Sequence, residues 1–154
     1  MQSDDGVWVI VPAYTEATHL QRTLRDVCSR WSNVVVVDDG SADATCHLCE
    51  SFPVWRLRHT VNCGQGAALQ TGIRFALEQG AEVLVTFDAD GQHCAEEIAS
   101  LVAPVRQGDV DVALGSRFLG RSLGIPFGRW LLLKAGIVFT RVVSRIRVTD
   151  THNG

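Results

Sequence analysis

Long uninterrupted apolar runs are what this 154-residue chain most clearly lacks. No window approaches the roughly 18–20 apolar residues that a membrane-spanning helix needs. The amino terminus, Met1-Gln2-Ser3-Asp4-Asp5, has no basic residue, and a strand-like segment follows it directly. A secretory leader starts basic and carries a longer apolar stretch, so none is expected and the expected location is cytoplasmic. Lysine is nearly absent: Lys134 is the only one. Acidic residues are scarce at one end, where residues 117–154 hold Asp150 alone against seven Lys/Arg, a net +6. Residues 1–116 hold seven Lys/Arg against sixteen Asp/Glu, a net −9, so the overall −3 conceals an acidic body and a basic end. That division suits a partner that is anionic on one side, a phosphate or an anionic membrane surface. Few aromatics in the basic segment are placed for stacking, which argues against nucleic acid as the partner.

Apolar residues make up 46% and charged residues 20%, a globular composition with enough chain to bury a core. The five cysteines are an odd set, which favours reduced thiols over a disulfide framework. Cys46-His47-Leu48-Cys49 has the spacing of a redox or zinc motif, but no second ligand pair of similar form accompanies it. Small apolar residues on a helix explain it more simply.

The chain alternates between two periodicities. Residues 7–12, 33–38, 54–59, 82–88 and 110–115 read as strands, the best of them continuous β-branched runs. Residues 17–31, 43–51, 66–79 and 95–106 read as helices, with Gly80 ending the third. Repeated strand–helix units with continuously apolar strands predict an α/β fold, a mostly parallel sheet with helices on both faces. Ligands in such sheets bind beyond the carboxyl ends of the strands. The chemically suggestive residues fall there: Pro12 to Glu16, Asp38 to Ser41, Asp88 to Gln92, and Gly115 to Arg117. Residues 1–117 are accordingly expected to form one α/β ligand-binding domain. Beyond it, residues 118–128 are rich in Gly and Pro and read as a loop. Residues 129–147 read as a basic amphipathic helix, lying on a membrane surface or docked on the sheet.

Each motif has a chemical and a plain structural reading. Asp88-Ala89-Asp90, followed by Gly91-Gln92-His93, puts two carboxylates two residues apart at a strand end. They can converge on a Mg²⁺ or Mn²⁺ ion that bridges a diphosphate, with Gln92 adding a neutral oxygen; Asp and Gly also simply favour turns. In Asp38-Asp39-Gly40-Ser41 one carboxylate can accept from a base or ribose while Gly40 permits close approach, or the segment is a turn and helix cap. Asn62-Cys63-Gly64-Gln65-Gly66-Ala67 can turn backbone amides of a helix start, Gly66 included, toward an anion or base. Tyr14 can line a base pocket, and Glu16 can orient a neighbour. Arg117 and Arg129 have the forked donor geometry that suits an acceptor phosphate.

In this order, VIVPAYTE, VVVVDDGSADAT, NCGQGAALQTGI, VLVTFDADGQH, LGSRFLG and VTDTHNG resemble the family 2 inverting glycosyltransferases of the GT-A fold. The similarity is strongest to the branch of dolichyl- and polyprenyl-phosphate mannose or glucose synthases. It implies transfer of a hexose, with inversion, from a GDP-mannose- or UDP-glucose-type donor to a polyprenyl phosphate or another lipid or glycan acceptor, peripheral to the inner face of a membrane. It also implies that Pro12, Tyr14, Glu16 and Asp39 meet the nucleoside, with Gly66 and Asp88 also on the donor. Asp88, Asp90 and Gln92 would hold the metal, and Arg117 and Arg129 the acceptor phosphate. Asp90 and Arg117 would then serve catalysis directly, with Asp150 a base or positioning group. Relatives often carry lysine where this chain has Gln65, and they run on beyond Gly154, so a C-terminally truncated chain is expected. Two other readings remain: a non-catalytic nucleotide-binding module, and a haloacid-dehalogenase-type phosphatase. The phosphatase would place its D-x-D-G at the first strand and use a downstream lysine, whereas here the motif follows the fourth.

Overall fold

The computed structural model describes residues 6–115. The chain divides into two compact units, Met1–Asp111 and Val112–Gly154, and every strand and helix among the described residues belongs to the first. Four strands, β1 (Val7–Ala13), β2 (Val34–Asp38), β3 (Trp55–Arg58) and β4 (Val83–Thr86), form one sheet in the order β3-β2-β1-β4. All three pairings are parallel. The helices are α1 (Leu20–Cys28), α2 (Thr45–Leu48), α3 (Gln65–Glu78) and α4 (Ile98–Arg106), with short 3₁₀ turns at Cys49–Ser51 and Ala95–Glu97.

Every residue of β1 and β2 is buried, as a parallel strand covered on both faces requires. Alternate side chains feed two cores. Val7, Val9, Val11, Val34 and Val36 pack with Leu20, Leu24 and Val27 of α1 and with Ile98 and Val102 of α4. Trp8, Ile10, Val35 and Val37 pack with Ala68 and Ala76 of α3. Gly72 brings α3 close to the sheet: a Cβ there would lie 2.5 Å from Ile10 Cγ2. The helix ends in a Schellman motif, with Ala81 N–H on Ala76 O (3.0 Å), Gly80 N–H on Leu77 O (3.0 Å) and Gly80 at φ 84°.

The chain runs β1, β2, β3 outward in one direction and then places β4 on the other side of β1, so the order reverses between β1 and β4. Pro12 marks where these strands part. Odd residues of β1 bond β2, as Val9 N–H does to Asn33 O and Ala13 O to Asp39 N–H; even residues bond β4, ending with Phe87 N–H on Ile10 O. Pro12 therefore turns its missing N–H toward a neighbour that has already left the ladder. A crevice at this reversal is the expected ligand position of the fold.

Two expectations are corrected. Residues 110–115 are not a strand: among the described residues no ladder includes them, and Val112 and Leu114 are exposed. Alternation of apolar residues marks a strand only where a neighbour completes its hydrogen bonds. The first helix begins at Leu20 rather than near 17: residues 17–19 form a turn in which the His19 and Leu20 N–H groups both bond Glu16 O. Residues 116–154 lie outside the described residues, and with them Arg117, Arg129, Asp150, the 118–128 loop and the 129–147 helix. Among the described residues no helix is long and apolar enough to cross a membrane.

Candidate functional site

Three of the four predicted strand-end clusters sit beyond the carboxyl ends of β1, β2 and β4. The loop after β2 does two jobs. Asp38 closes it internally: Oδ1 accepts the Ser41 N–H (2.9 Å) and Oδ2 faces Arg58 Nε at 3.2 Å. Gly40, at φ 75°, passes so near the following loop that a Cβ would lie 2.6 Å from Val61 C.

The rest of the same motif holds the segment after β1. Ser41 Oγ accepts the Thr15 N–H (2.9 Å), Thr45 Oγ1 accepts the Glu16 N–H (2.9 Å), and Asp43 Oδ2 accepts the Ala17 N–H (3.3 Å). Thr45 Oγ1 in turn donates to Asp43 Oδ1 at 2.5 Å. Thr15 is the one described non-glycine residue at positive φ, 58°, a conformation that these bonds compensate. Tyr14 is thereby presented at the rim, half exposed, with Glu16 beside it and Pro12 buried beneath. Ser41 reads in the sequence as the end of the strand-end motif, while Asp43 and Thr45, at the start of the predicted 43–51 helix, carry no site signal of their own.

Asp39 is buried and heavily bonded. Its Oδ1 accepts from His59 Nδ1 (2.6 Å) and the Cys63 N–H (3.0 Å), and its Oδ2 from the Gly64 N–H (2.7 Å). Burial alone would raise its pKa; the bonds from Cys63, His59 and Gly64 outweigh burial and hold the carboxyl below its usual range. His59, a residue with no sequence signal of its own, continues through Nε2 to Thr71 Oγ1 on α3 (2.9 Å).

Asp88 lies past the end of β4, partly buried. Gln65 Nε2 donates to its Oδ1 (3.2 Å), and His93 Nε2 lies 3.4 Å from its Oδ2. Ala89 between the two carboxylates is buried, and its carbonyl accepts from Thr23 Oγ1 of α1 (3.1 Å). Asp90 Oδ1 accepts the Gln92 N–H (2.9 Å), with Gly91 at φ 74° completing the turn, and the Gln92 side chain is exposed. The two carboxylates are partly exposed oxygen donors, a set that suits a hard cation taking its other ligands from phosphate and water. Among the described residues, the group of three closely spaced His, Cys, Asp or Glu ligands is elsewhere, at Asp39, His59 and Cys63.

Gly64 and Gln65 join the two halves. Gly64 bonds Asp39, and the adjacent Gln65 bonds Asp88, so the first turn of α3 spans both carboxylates. The position where relatives often carry lysine thus contacts Asp88. At Gly66, on the same turn, a Cβ would meet nothing within 4 Å, leaving the helix start open. The Cys46/Cys49 pair takes no part: Cys49 is buried, its Sγ–H lies on Thr45 O (3.4 Å), and burial first of all pushes its thiol up to about 11.

A family model described as "Glycosyl transferase family 2" matches residues 8–130. Curated relatives include an undecaprenyl-phosphate mannosyltransferase of Micrococcus luteus, 35% identical over 96% of this chain and 64% of its own length. A polyprenol monophosphomannose synthase of Mycolicibacterium smegmatis is 33% identical over 95% of this chain and 58% of its own. An uncharacterized protein of Methanocaldococcus jannaschii is 40% identical over 77% of this chain and 49% of its own. The chain thus spans about half to two thirds of the length of these relatives. Among solved structures, glucosyl-3-phosphoglycerate synthase from Mycobacterium tuberculosis, crystallised with Mn²⁺ and UDP-glucose, superposes with a TM-score of 0.56. It is 21% identical and aligns over 67% of this chain and 40% of its own. The parallel sheet and its helices are therefore of the GT-A type, and the chain belongs to glycosyl transferase family 2.

Proposed function

We propose that this chain carries the donor side of a glycosyltransferase that moves a hexose from a nucleoside diphosphate sugar to a polyprenyl phosphate. The observation that carries the reading is the bridge at the start of α3. Consecutive residues bond Asp39 on one side and Asp88 on the other, so one short segment ties together the two carboxylates that this reading assigns to the nucleoside and to the metal and diphosphate. In this reading Tyr14 and Glu16, above the buried Pro12, flank the nucleoside and Asp39 accepts a hydrogen bond from it. Gly66 opens the helix start toward the diphosphate. Asp88 and Asp90, with Gln92 adding an oxygen, would hold a Mg²⁺ or Mn²⁺ ion, whose positive charge would suit a diphosphate leaving group. Gln65 and His93 keep Asp88 in place until the donor arrives.

The acceptor half falls to Arg117 and Arg129, with Asp150 as base or positioning group. A phosphate acceptor is already anionic near neutral pH and needs orientation more than deprotonation. The named relatives that act on undecaprenyl phosphate and polyprenol support that acceptor class. The basic 129–147 segment would then rest on an anionic membrane surface from the cytoplasmic side. Incubating the protein with labelled GDP-mannose or UDP-glucose and polyprenyl phosphate in detergent tests the reading. Labelled lipid is expected; donor consumption that yields only free sugar or nucleotide, with no lipid product, contradicts it.

A further inference from the structure

Asp39 is not held by the backbone alone, and its neighbours leave one acceptor position over. A carboxylate offers about two lone-pair directions per oxygen. Oδ1 takes His59 Nδ1–H and Cys63 N–H, and Oδ2 takes Gly64 N–H. One direction on Oδ2 is left, suited to a single N–H donor such as the ring edge of a nucleobase.

The His59 contact is the short one at 2.6 Å, and its ring is anchored at both ends, since Nε2 meets Thr71 Oγ1 at 2.9 Å. Thr71 Oγ1 also lies 3.0 Å from Ala67 O one turn back, so this hydroxyl is itself fixed to α3. The His59 backbone N–H bonds Asp38 O, which registers the ring beside the loop after β2. The chain Asp39–His59–Thr71 therefore crosses from the end of β2, past the end of β3, to the helix that begins at Gln65, directly after Gly64.

We infer that His59, backed by Thr71, is a positioning residue for nucleoside recognition: it occupies Asp39 Oδ1 and so directs Oδ2 to the base of the donor. The inference rests on the reading that Asp39 meets the nucleoside. Losing one hydrogen bond to a charged, buried carboxylate is expected to weaken a ligand that depends on it by about tenfold to a hundredfold.

The test uses His59→Phe, which keeps ring volume without a donor, and His59→Asn, whose amide can reach where Nδ1 was. Calorimetric titration of the whole chain with Mn²⁺ and either GDP or UDP is compared with titration with Mn²⁺ and pyrophosphate. His59→Phe is expected to lose at least about tenfold in nucleotide affinity while pyrophosphate affinity stays unchanged, and His59→Asn to recover most of the loss. Nucleotide binding by His59→Phe as tight as wild type overturns the inference, as does an equal loss for nucleotide and pyrophosphate. Carbon-13 titration of the Asp39 carboxyl gives a readout independent of any nucleotide. Its midpoint is expected to rise in His59→Phe, because one of the bonds that lower it is gone; an unmoved midpoint overturns the inference. Failure of the wild type to bind any nucleotide would instead count against Asp39 as a nucleoside contact, whatever the carboxyl titration shows.

Discussion

Replacing Gly40 by alanine strains the site at its narrowest point, and two separable terms set the cost. At φ 75° an L-residue adopts the left-handed region at about 1–2 kcal/mol. The added Cβ would also lie 2.6 Å from Val61 C, 2.9 Å from Asn62 N and 3.0 Å from Val61 Cα, all backbone atoms that cannot rotate away. Overpacking of this kind costs about 1–3 kcal/mol, for a total of about 2–5 kcal/mol. Gly80→Ala is the control: φ is 84°, but a Cβ there meets nothing within 4 Å, so only the conformational term applies. Urea unfolding followed by tryptophan fluorescence, to which the buried Trp8 and Trp31 report, should separate the two variants by about 1–3 kcal/mol. The displaced loop also bears the Cys63 and Gly64 amides that hold Asp39, so Gly40→Ala should weaken nucleotide binding while Gly80→Ala leaves it intact. If Gly40→Ala is no less stable than Gly80→Ala, the close approach does not constrain the loop, and the role given to Gly40 is wrong.

Other perturbations address the remaining ties. Ser41→Ala removes the acceptor of the Thr15 amide at a positive-φ residue, and should cost about 1–3 kcal/mol and abolish hydrogen-exchange protection at Thr15. Retained protection there would show that the hydroxyl does not hold the Tyr14–Glu16 segment. Stability should also fall in acid. In Asp39, bonds from Cys63, His59 and Gly64 overcome burial to lower the pKa; in Asp43, the Thr45 hydroxyl does most, again against burial. Both carboxyls thus sit below their ordinary 3.8, and the unfolded chain binds more protons through that range. Their contribution is complete at pH well above 3.8 and is lost as pH falls through the lowered values. Urea midpoints from neutral pH down to about pH 3 should decline, and Asp43→Asn should flatten part of the slope. An identical slope in that variant would contradict the assignment.

Much of this site was legible because its strands are simple. VWVIVP and VVVVD are continuous apolar runs, and β1 and β2 are buried on both faces, so pattern and environment agree. The Asp88-Ala89-Asp90 turn could be placed at a strand end for the same reason. What could not be read depends on long-range partners. His59 lies twenty residues from the carboxylate it bonds and twelve from the hydroxyl behind it. Ser41 read as part of a turn and Asp43 and Thr45 as a helix start, although their side chains hold the amides of residues 15–17. Gln65 showed only as a departure from a familiar lysine, and its role emerges from its bond to Asp88. The 110–115 run has strand periodicity yet joins no ladder among the described residues, because periodicity carries no information about a pairing partner.

The central claim is that Asp88 and Asp90 act with Asp39 as one metal–nucleotide site. Isothermal titration of the folded protein with GDP and with UDP, with Mn²⁺ and then with chelator, tests it most directly. Binding of at least one nucleotide in Mn²⁺ is expected, weakened at least about tenfold by chelator and by Asp88→Asn or Asp90→Asn. Equal affinity with and without metal, or no binding of either nucleotide by a well-folded sample, would contradict it.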